Sequence, residues 1–317
     1  MLMSSLNRSR RIGIEIEMAV PLIGGGQAHD LRCRMADILS VNGIRAIARD
    51  YSHSPVPDGY DVVVESDSSI RGETQYQGIE WVPVEVKTRI LNGSDDFGRN
   101  VKRLCDLCRY LGARQNTSTA VHLHIEFIEV KETPAVIRSF YNLAHRFEAV
   151  VFGLVAPSRR DNQYCKHLPS KSKLLHSCSR LEHFGRVLNL AGLERYWAFN
   201  LTHLFGGAPR IEFRHHHGSL DFEKLMHWRN LCLRLIDHSI QRSCKATTAP
   251  LPNDLASMKR MLVTLGMKPN TRVFPKVDAD LRATGRFLLR RWQTLNPRPP
   301  AVDPQDLHPP QPPEVPF

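Results

Sequence analysis

No stretch of this chain stays apolar for the ~18 positions needed to cross a bilayer, and the arginines at 8, 10 and 11 have no apolar segment behind them. Neither a membrane span nor a secretory leader is therefore expected. Cysteine is sparse and unpatterned. The seven residues at 33, 105, 108, 165, 178, 232 and 244 make an odd count without framework spacing, which excludes a disulfide scaffold and fits reduced thiols in a cytoplasmic protein. Internal repeats are absent, as are aromatic-interleaved basic motifs of the kind nucleic-acid modules carry. Gly24-Gly25-Gly26 lacks the strand before it and the Lys-Ser/Thr after it that a phosphate-binding loop requires, so it reads as a turn.

What is present is an ordinary globular composition, with 42% apolar and 24% charged residues over 317 positions, long enough for a large core and an enclosed site. The formal charge of +11 suits a polyanion, but the basic residues are scattered, with a modest concentration from Arg159 to Arg180. That dispersion argues against nucleic acid and leaves a small anion such as ATP. The last 21 residues hold nine of the 21 prolines. Residues 296–317 are accordingly expected to form a disordered tail, suited at most to docking a protein partner. Residues 1–10 are expected as an N-terminal extension, and 11–295 as one catalytic domain.

The first half of the chain alternates with period two and the second half with helical period, which predicts an α+β fold. Helices are expected near 28–42, 98–113, 134–155, 221–243, 253–265 and 277–294. Asp221 and the Thr133-Pro134 pair supply start signals. Cys105 and Cys108 form a C-x-x-C, but they fall on the apolar stripe of a helix and lack a second pair, so they read as core.

Five predicted strands each oppose an apolar face to a face of metal- or phosphate-binding groups. Glu15 and Glu17 stand on the first, roughly 7 Å apart. Glu65 and Asp67 share a face on the second, Glu85 and Lys87 on the third, His122, His124 and Glu126 on the fourth, and Arg210, Glu212 and Arg214 on the fifth. Strand alternation also sends His216 to the face of Glu212 and Arg214, which predicts that it lines the site. A solvated sheet face normally mixes Lys, Thr, Ser and Gln. Converging carboxylates instead repel one another unless a cation lies between them. Oxygen ligands with imidazoles and no thiolate favour magnesium, or manganese, over zinc. Magnesium commonly completes its shell with phosphate oxygens, so ATP is the expected cosubstrate.

On these residues the sequence resembles the amidoligase family, carboxylate-amine ligases of the glutamine synthetase and gamma-glutamylcysteine ligase superfamily. The resemblance spans roughly residues 11–230. It is carried by Gly13-Ile14-Glu15-Ile16-Glu17, Glu65-Ser66-Asp67-Ser68-Ser69, Val84-Glu85-Val86, Val121-His122-Leu123-His124-Ile125, Asn162-Gln163-Tyr164-Cys165-Lys166, Arg195-Tyr196 with Asn200-Leu201, and Ile211-Glu212-Phe213-Arg214-His215. It implies a glutamine-synthetase-like curved antiparallel sheet whose concave face forms the active site, with helices packed behind. It further implies Glu15, Glu17, Glu85, His124 and Glu212 as metal ligands, and His122, His124, Arg159, Lys166, Asn200 and Arg214 around the nucleotide. Arg214, Glu212 and Asp67 would be the catalytic groups. Two positions depart from the family pattern, Ala120 where glycine commonly precedes the histidine pair and Lys87 where serine commonly follows Glu85. The expected reaction is ATP-dependent amide formation from a small-molecule or peptide carboxylate and an amine through an acyl phosphate. The alternatives are a metal-dependent hydrolase built on His122 and His124, which leaves the acids and Arg214 without linked roles, and a non-catalytic adaptor.

Overall fold

The structure is a computed structural model that describes residues 3–52, 54–71, 78–170, 178–242, 249–268 and 276–297. The proline-rich stretch from 298 onward, Lys171, Lys173 and Cys244 lie outside the described residues. The fold mixes α and β. An open, mostly antiparallel sheet of eight strands is accompanied, among the described residues, by seven α-helices and a separate two-stranded pair.

The sheet runs in the order β3 (Ala46–Arg49), β4 (Val62–Glu65), β5 (Trp81–Thr88), β2 (Arg11–Pro21), β7 (Ala120–Glu126), β9 (Arg210–His217), β8 (Phe199–Asn200), and the short β6 (Leu91–Asn92) pairs with the start of β2. Only the β3–β4 pairing is parallel in it. All five strands anticipated from alternation are present. The two-residue β6 and β8 and the four-residue β3 are too short to show a period. On one face of β2, Ile12, Ile14, Ile16 and Met18 are sealed from solvent, and Val84, Val86, Val121, Leu123, Ile125, Ile211 and Phe213 continue that layer across the neighbouring strands. Helices α1 (Ala28–Val41), α2 (Gly93–Tyr110) and α5 (Phe222–Gln241) pack on the sheet, and α3 (Ala135–Phe152) packs against α5. Burial of this apolar layer is the main drive for the architecture, and it leaves the opposite face free for polar groups.

Capping chemistry sets several helix starts. Asp221 accepts from the Lys224 N–H at 3.1 Å to open α5, and Asp254 accepts from the Ser257 N–H at 2.7 Å to open α6 (Leu255–Thr264). Helix α7 (Ala279–Leu295) is capped by Asp278. Helix α2 begins five residues before the expected start, with Asp95 and Asp96 in its first turn, where carboxylates complement the positive helix end. At its threshold Gly93 takes φ +77°, and a Cβ there would lie 2.6 Å from the Arg8 carbonyl oxygen. α4 (Leu181–Leu190) was not among the expected helices; it follows directly on the basic concentration that ends at Arg180.

Residues 3–10 are tied to the domain. Strand β1 (Met3–Ser4) pairs in parallel with β10 (Lys276–Val277), the Asn7 N–H donates to Asp237, and buried Arg10 bridges Glu129 and Asp237. Among the described residues all six cysteines are free, and Cys105 and Cys108 lie in the core as expected. Burial pushes the Cys105 thiol up to about 12 and raises Cys108 further, so neither is poised as a nucleophile. No helix is long and apolar enough to cross a membrane among the described residues.

A register shift changes one expectation. Leu123 pairs with Phe213 but Val121 pairs with His216, so Arg214 and His215 together oppose His122. This bulge inserts one residue into β9 and inverts the alternation beyond it. His216 therefore does not line the site. It stacks on His217 at 4.5 Å between ring centroids and lies against Trp228 of α5 at 5.2 Å.

Candidate active site

The polar face of the sheet forms the floor of an open cleft of about 1400 Å³. Strand registry orders its residues into three rows. The first crosses β3, β4, β5 and β2 as Arg49, Glu65, Glu85 and Glu17. The second crosses β5, β2 and β7 as Lys87, Glu15 and His122, with Arg214 beside His122 at the bulge. The third crosses β2, β7, β9 and β8 as Gly13, His124, Glu212 and Asn200. Residues as far apart in sequence as Gly13 and His124, or Glu15 and His122, are thus made neighbours by backbone pairing alone.

Contacts within the rows are dense. His122 Nδ1 lies 3.2 Å from Glu15 Oε2 and 3.6 Å from Glu212 Oε1, and its Nε2 lies 3.6 Å from Glu17 Oε1. His124 Nε2 approaches Glu15 Oε1 at 3.2 Å but not in hydrogen-bonding geometry, so both of its buried ring nitrogens lack a hydrogen-bond partner. Glu17 Oε2 accepts the Ala120 N–H at 2.7 Å. Glu212 forms an ion pair with Arg214 and accepts from Asn200 Nδ2 at 2.7 Å. The Arg214 Nε donates to the Tyr164 carbonyl at 3.1 Å, while Arg159, itself buried, donates to the Arg214 carbonyl at 2.8 Å. On the far side Glu65 is wholly buried and paired with both Arg49 and Lys87.

The electrostatics split the carboxylates into two kinds. Burial opposes the charge on Glu15, but the imidazoles of His124 and His122 outweigh it and hold the carboxyl well below its usual range. Burial likewise opposes Glu212, and Arg214, His124 and His122 bring it down. Burial raises Glu17 despite His122, and burial together with Glu15 raises Glu85 well above the usual range despite Lys87. His124 moves up because Glu15 and Glu212 overcome its burial. His203, in the short turn Thr202–Phe205, is pushed down to about 4 by burial and Arg210.

Glu15 and Glu17 have no lysine or arginine within ion-pair distance among the described residues; only imidazoles and a backbone N–H reach them. A divalent cation fits here on two observations, the unpartnered nitrogens of His124 and the grouping of donor atoms. Glu17, Glu85 and His122 offer ligand atoms mutually within 4.8 Å, as do Glu15, His122 and Glu212, and His124, His203 and Glu212. Two of these sets pair two carboxylates with one imidazole, the third pairs one carboxylate with two, and no thiolate joins any of them, a donor set compatible with magnesium or manganese.

Of the residues singled out from sequence, Glu15, Glu17, Asp67, Glu85, His122, His124, Arg159, Asn200, Glu212 and Arg214 all line the cleft. Lys166 does not: its ammonium pairs with Glu194 at 2.7 Å. His203 and Arg210 line the cleft without having been proposed for it. His203 sits in a four-residue turn with no periodicity to expose it, whereas Arg210 lay on the same predicted strand face as Glu212.

Among comparisons with known proteins, no curated protein matches the chain. Residues 8–236 match the family model described as "Putative amidoligase enzyme". The matched span holds all the strands of the eight-stranded sheet and every residue of the three rows, and the chain therefore belongs to the amidoligase family.

Proposed function

We propose that the cleft joins a carboxylate to an amine at the expense of ATP, with magnesium or manganese as the metal, on a sheet arranged as in glutamine synthetase. The observation that supports this most strongly is the convergence of Glu15, Glu17, Glu85, His122, His124 and Glu212 with Arg214 on one face. Glu15, Glu17, Glu85, His124 and Glu212 would hold the metal, which would supply positive charge against the phosphate oxygens. His122 orients Glu15, and Asn200 fixes Glu212.

A carboxylate is unreactive toward amines because oxide is a poor leaving group. In the proposed reaction its oxygen attacks the γ-phosphorus and ADP departs, and the amine then attacks the carbonyl carbon of the acyl phosphate and expels phosphate. Arg214 would stabilise the charge spread over the transferring phosphoryl group, its guanidinium held from two sides by Glu212 and the Tyr164 carbonyl. An incoming ammonium must shed protons before it can attack. Asp67 has no lysine or arginine partner among the described residues, accepts only the Ser69 N–H at 2.7 Å, and is the free carboxylate suited to take one. No protein nucleophile is needed.

The test is isotopic. With oxygen-18 in the substrate carboxylate, one labelled oxygen should appear in the phosphate released. Unlabelled phosphate, or label in AMP, would overturn the acyl-phosphate route.

A further inference from the structure

Lys87 has no part in the reaction described above, yet its ammonium sits in the acid cluster. The side chain leaves β5 next to Glu15 and turns toward β4, where it pairs with Glu65, donates to the Ser52 carbonyl at 2.8 Å and lies 5.5 Å from the centre of the Tyr51 ring. It is largely buried and thus held in one place. Its second carboxylate neighbour is Glu85, whose Oε2 is 3.6 Å away. Glu85 is also one of the three groups, with Glu17 and His122, whose ligand atoms lie mutually within 4.8 Å. One carboxylate would therefore serve both the ammonium and the metal. Glu65 pairs with Arg49 through one oxygen and with Lys87 through the other, so Lys87 is shared between Glu65 and Glu85.

We propose that Lys87 is a tethered competitor for the divalent cation at the Glu17–Glu85–His122 position, weakening that position by holding Glu85. This rests on the metal-binding part of the reading above and not on the ligase chemistry. A free cation must displace or share a carboxylate with an ammonium that the chain supplies at fixed, high effective concentration. The position is then filled only when something further favours it, such as the negative charge of a bound phosphate chain.

Titration with Mn²⁺ alone, followed by the loss of the free-ion electron paramagnetic resonance signal, tests this directly. A neighbouring cation at this distance typically lowers a carboxylate's proton affinity by one to three decades, and a metal ion competes for the same oxygens, so Lys87→Met should bind Mn²⁺ at least about tenfold more tightly than wild type. Lys87→Gln, which keeps a donor for Ser52 and Glu65 without the charge, should do the same and covers the case in which the methionine variant does not fold. The gain should vanish when Glu85→Gln is the background, because the competition runs through that carboxylate. Unchanged Mn²⁺ affinity in both Lys87 variants would overturn the proposal while leaving the ligase reading intact. An equal gain in the Glu85→Gln background would overturn it too, since Lys87 would then act only as a distant charge. Absence of Mn²⁺ binding in every variant would remove this proposal and the metal site together, whereas a failed oxygen-18 experiment alone would leave it standing.

Discussion

Two pairs of buried histidines occupy neighbouring strands of one sheet and have opposite surroundings. His122 and His124 project from β7 into carboxylates, with Glu15 within 3.2 Å of each. His215 and His216, past the bulge in β9, project among aromatic rings. His215 lies 4.3 Å from Phe199 and 4.9 Å from Phe152 between centroids, and neither of its nitrogens has a hydrogen-bond partner. His122, His215 and His216 are all buried and His124 is mostly so, so burial does not separate a reactive histidine from a packing one. The face does. Carboxylates lift His124 above its ordinary value, whereas burial, with Arg159 and His217 respectively as the nearest added cause, drives His215 and His216 well below theirs.

The sharpest way to break this contrast is to remove one group from each face. On the polar face Glu15→Gln should reduce amide formation to background. Glu85→Gln should do the same while leaving the melting temperature of the metal-free chain unchanged or higher, because burial and Glu15 already disfavour that charge. On the apolar face Phe213→Ala should cost about 3–5 kcal/mol of stability through the cavity it leaves. Any loss of activity there should recover in proportion to the folded fraction. Denaturant curves alongside turnover separate the two outcomes, and a Glu85 variant that loses stability would erase the distinction between the faces.

Arg214→Lys is expected to have the next largest effect on chemistry. One guanidinium meets Glu212 and the Tyr164 carbonyl at once, and an ammonium cannot reproduce that planar fork. Turnover should fall roughly 100-fold to 1,000-fold, as when one preorganised donor is removed, with nucleotide affinity largely kept. A loss confined to the Michaelis constant would move Arg214 from the transition state to ground-state binding.

Acid should expose the aromatic-side histidines. Their folded values are depressed, so between the unfolded value near 6.5 and the folded value the unfolded chain binds more protons than the native one, and stability falls as pH falls. For His217, pushed down to about 4 by burial and Arg291, that window is 6.5 to about 4. His215 contributes in the same direction from 6.5 downward. His215→Phe keeps the ring and removes the proton site. It should flatten the pH dependence of unfolding by up to about 1.4 kcal/mol per pH unit below 6.5, and an unchanged slope would mean that His215 is protonated in the folded chain.

How much of this was legible beforehand depends on the length of the signal. The long strands β2, β5, β7 and β9, each of seven residues or more, announced both faces through alternation and with them Glu15, Glu17, Glu85 and Glu212; the four-residue β4 was read because the alternation runs on past it to Asp67. Single-residue events were invisible. The bulge that turns His216 to the core is set by the pairing of β9 with β7, a tertiary fact that no local period encodes. His203 and Asn200 come from a turn and a two-residue strand. Asn200 was reached only through the family resemblance, and His203 not at all. Lys166 shows another case, a residue marked by its motif that does not itself line the cleft but whose ammonium pairs with Glu194 at the cleft's edge.

Lys166 also sets the smallest expected effect. Its ammonium meets Glu194 in a half-exposed pair, and such pairs are worth about 0.2–1 kcal/mol. Its backbone is more deeply engaged, since its N–H donates to the Tyr196 carbonyl at 2.7 Å and its own carbonyl accepts from the Ala198 N–H at 2.7 Å. Those bonds hold the segment that leads into β8 and Asn200, and alanine preserves them. Lys166→Ala should therefore lower stability by no more than about 1 kcal/mol, and turnover by less than about fivefold, the equivalent of that energy in a barrier. A loss approaching that of Arg214→Lys would show the ammonium leaving Glu194 to reach the transferring phosphate during the reaction, and would restore the side chain to the role its motif suggested.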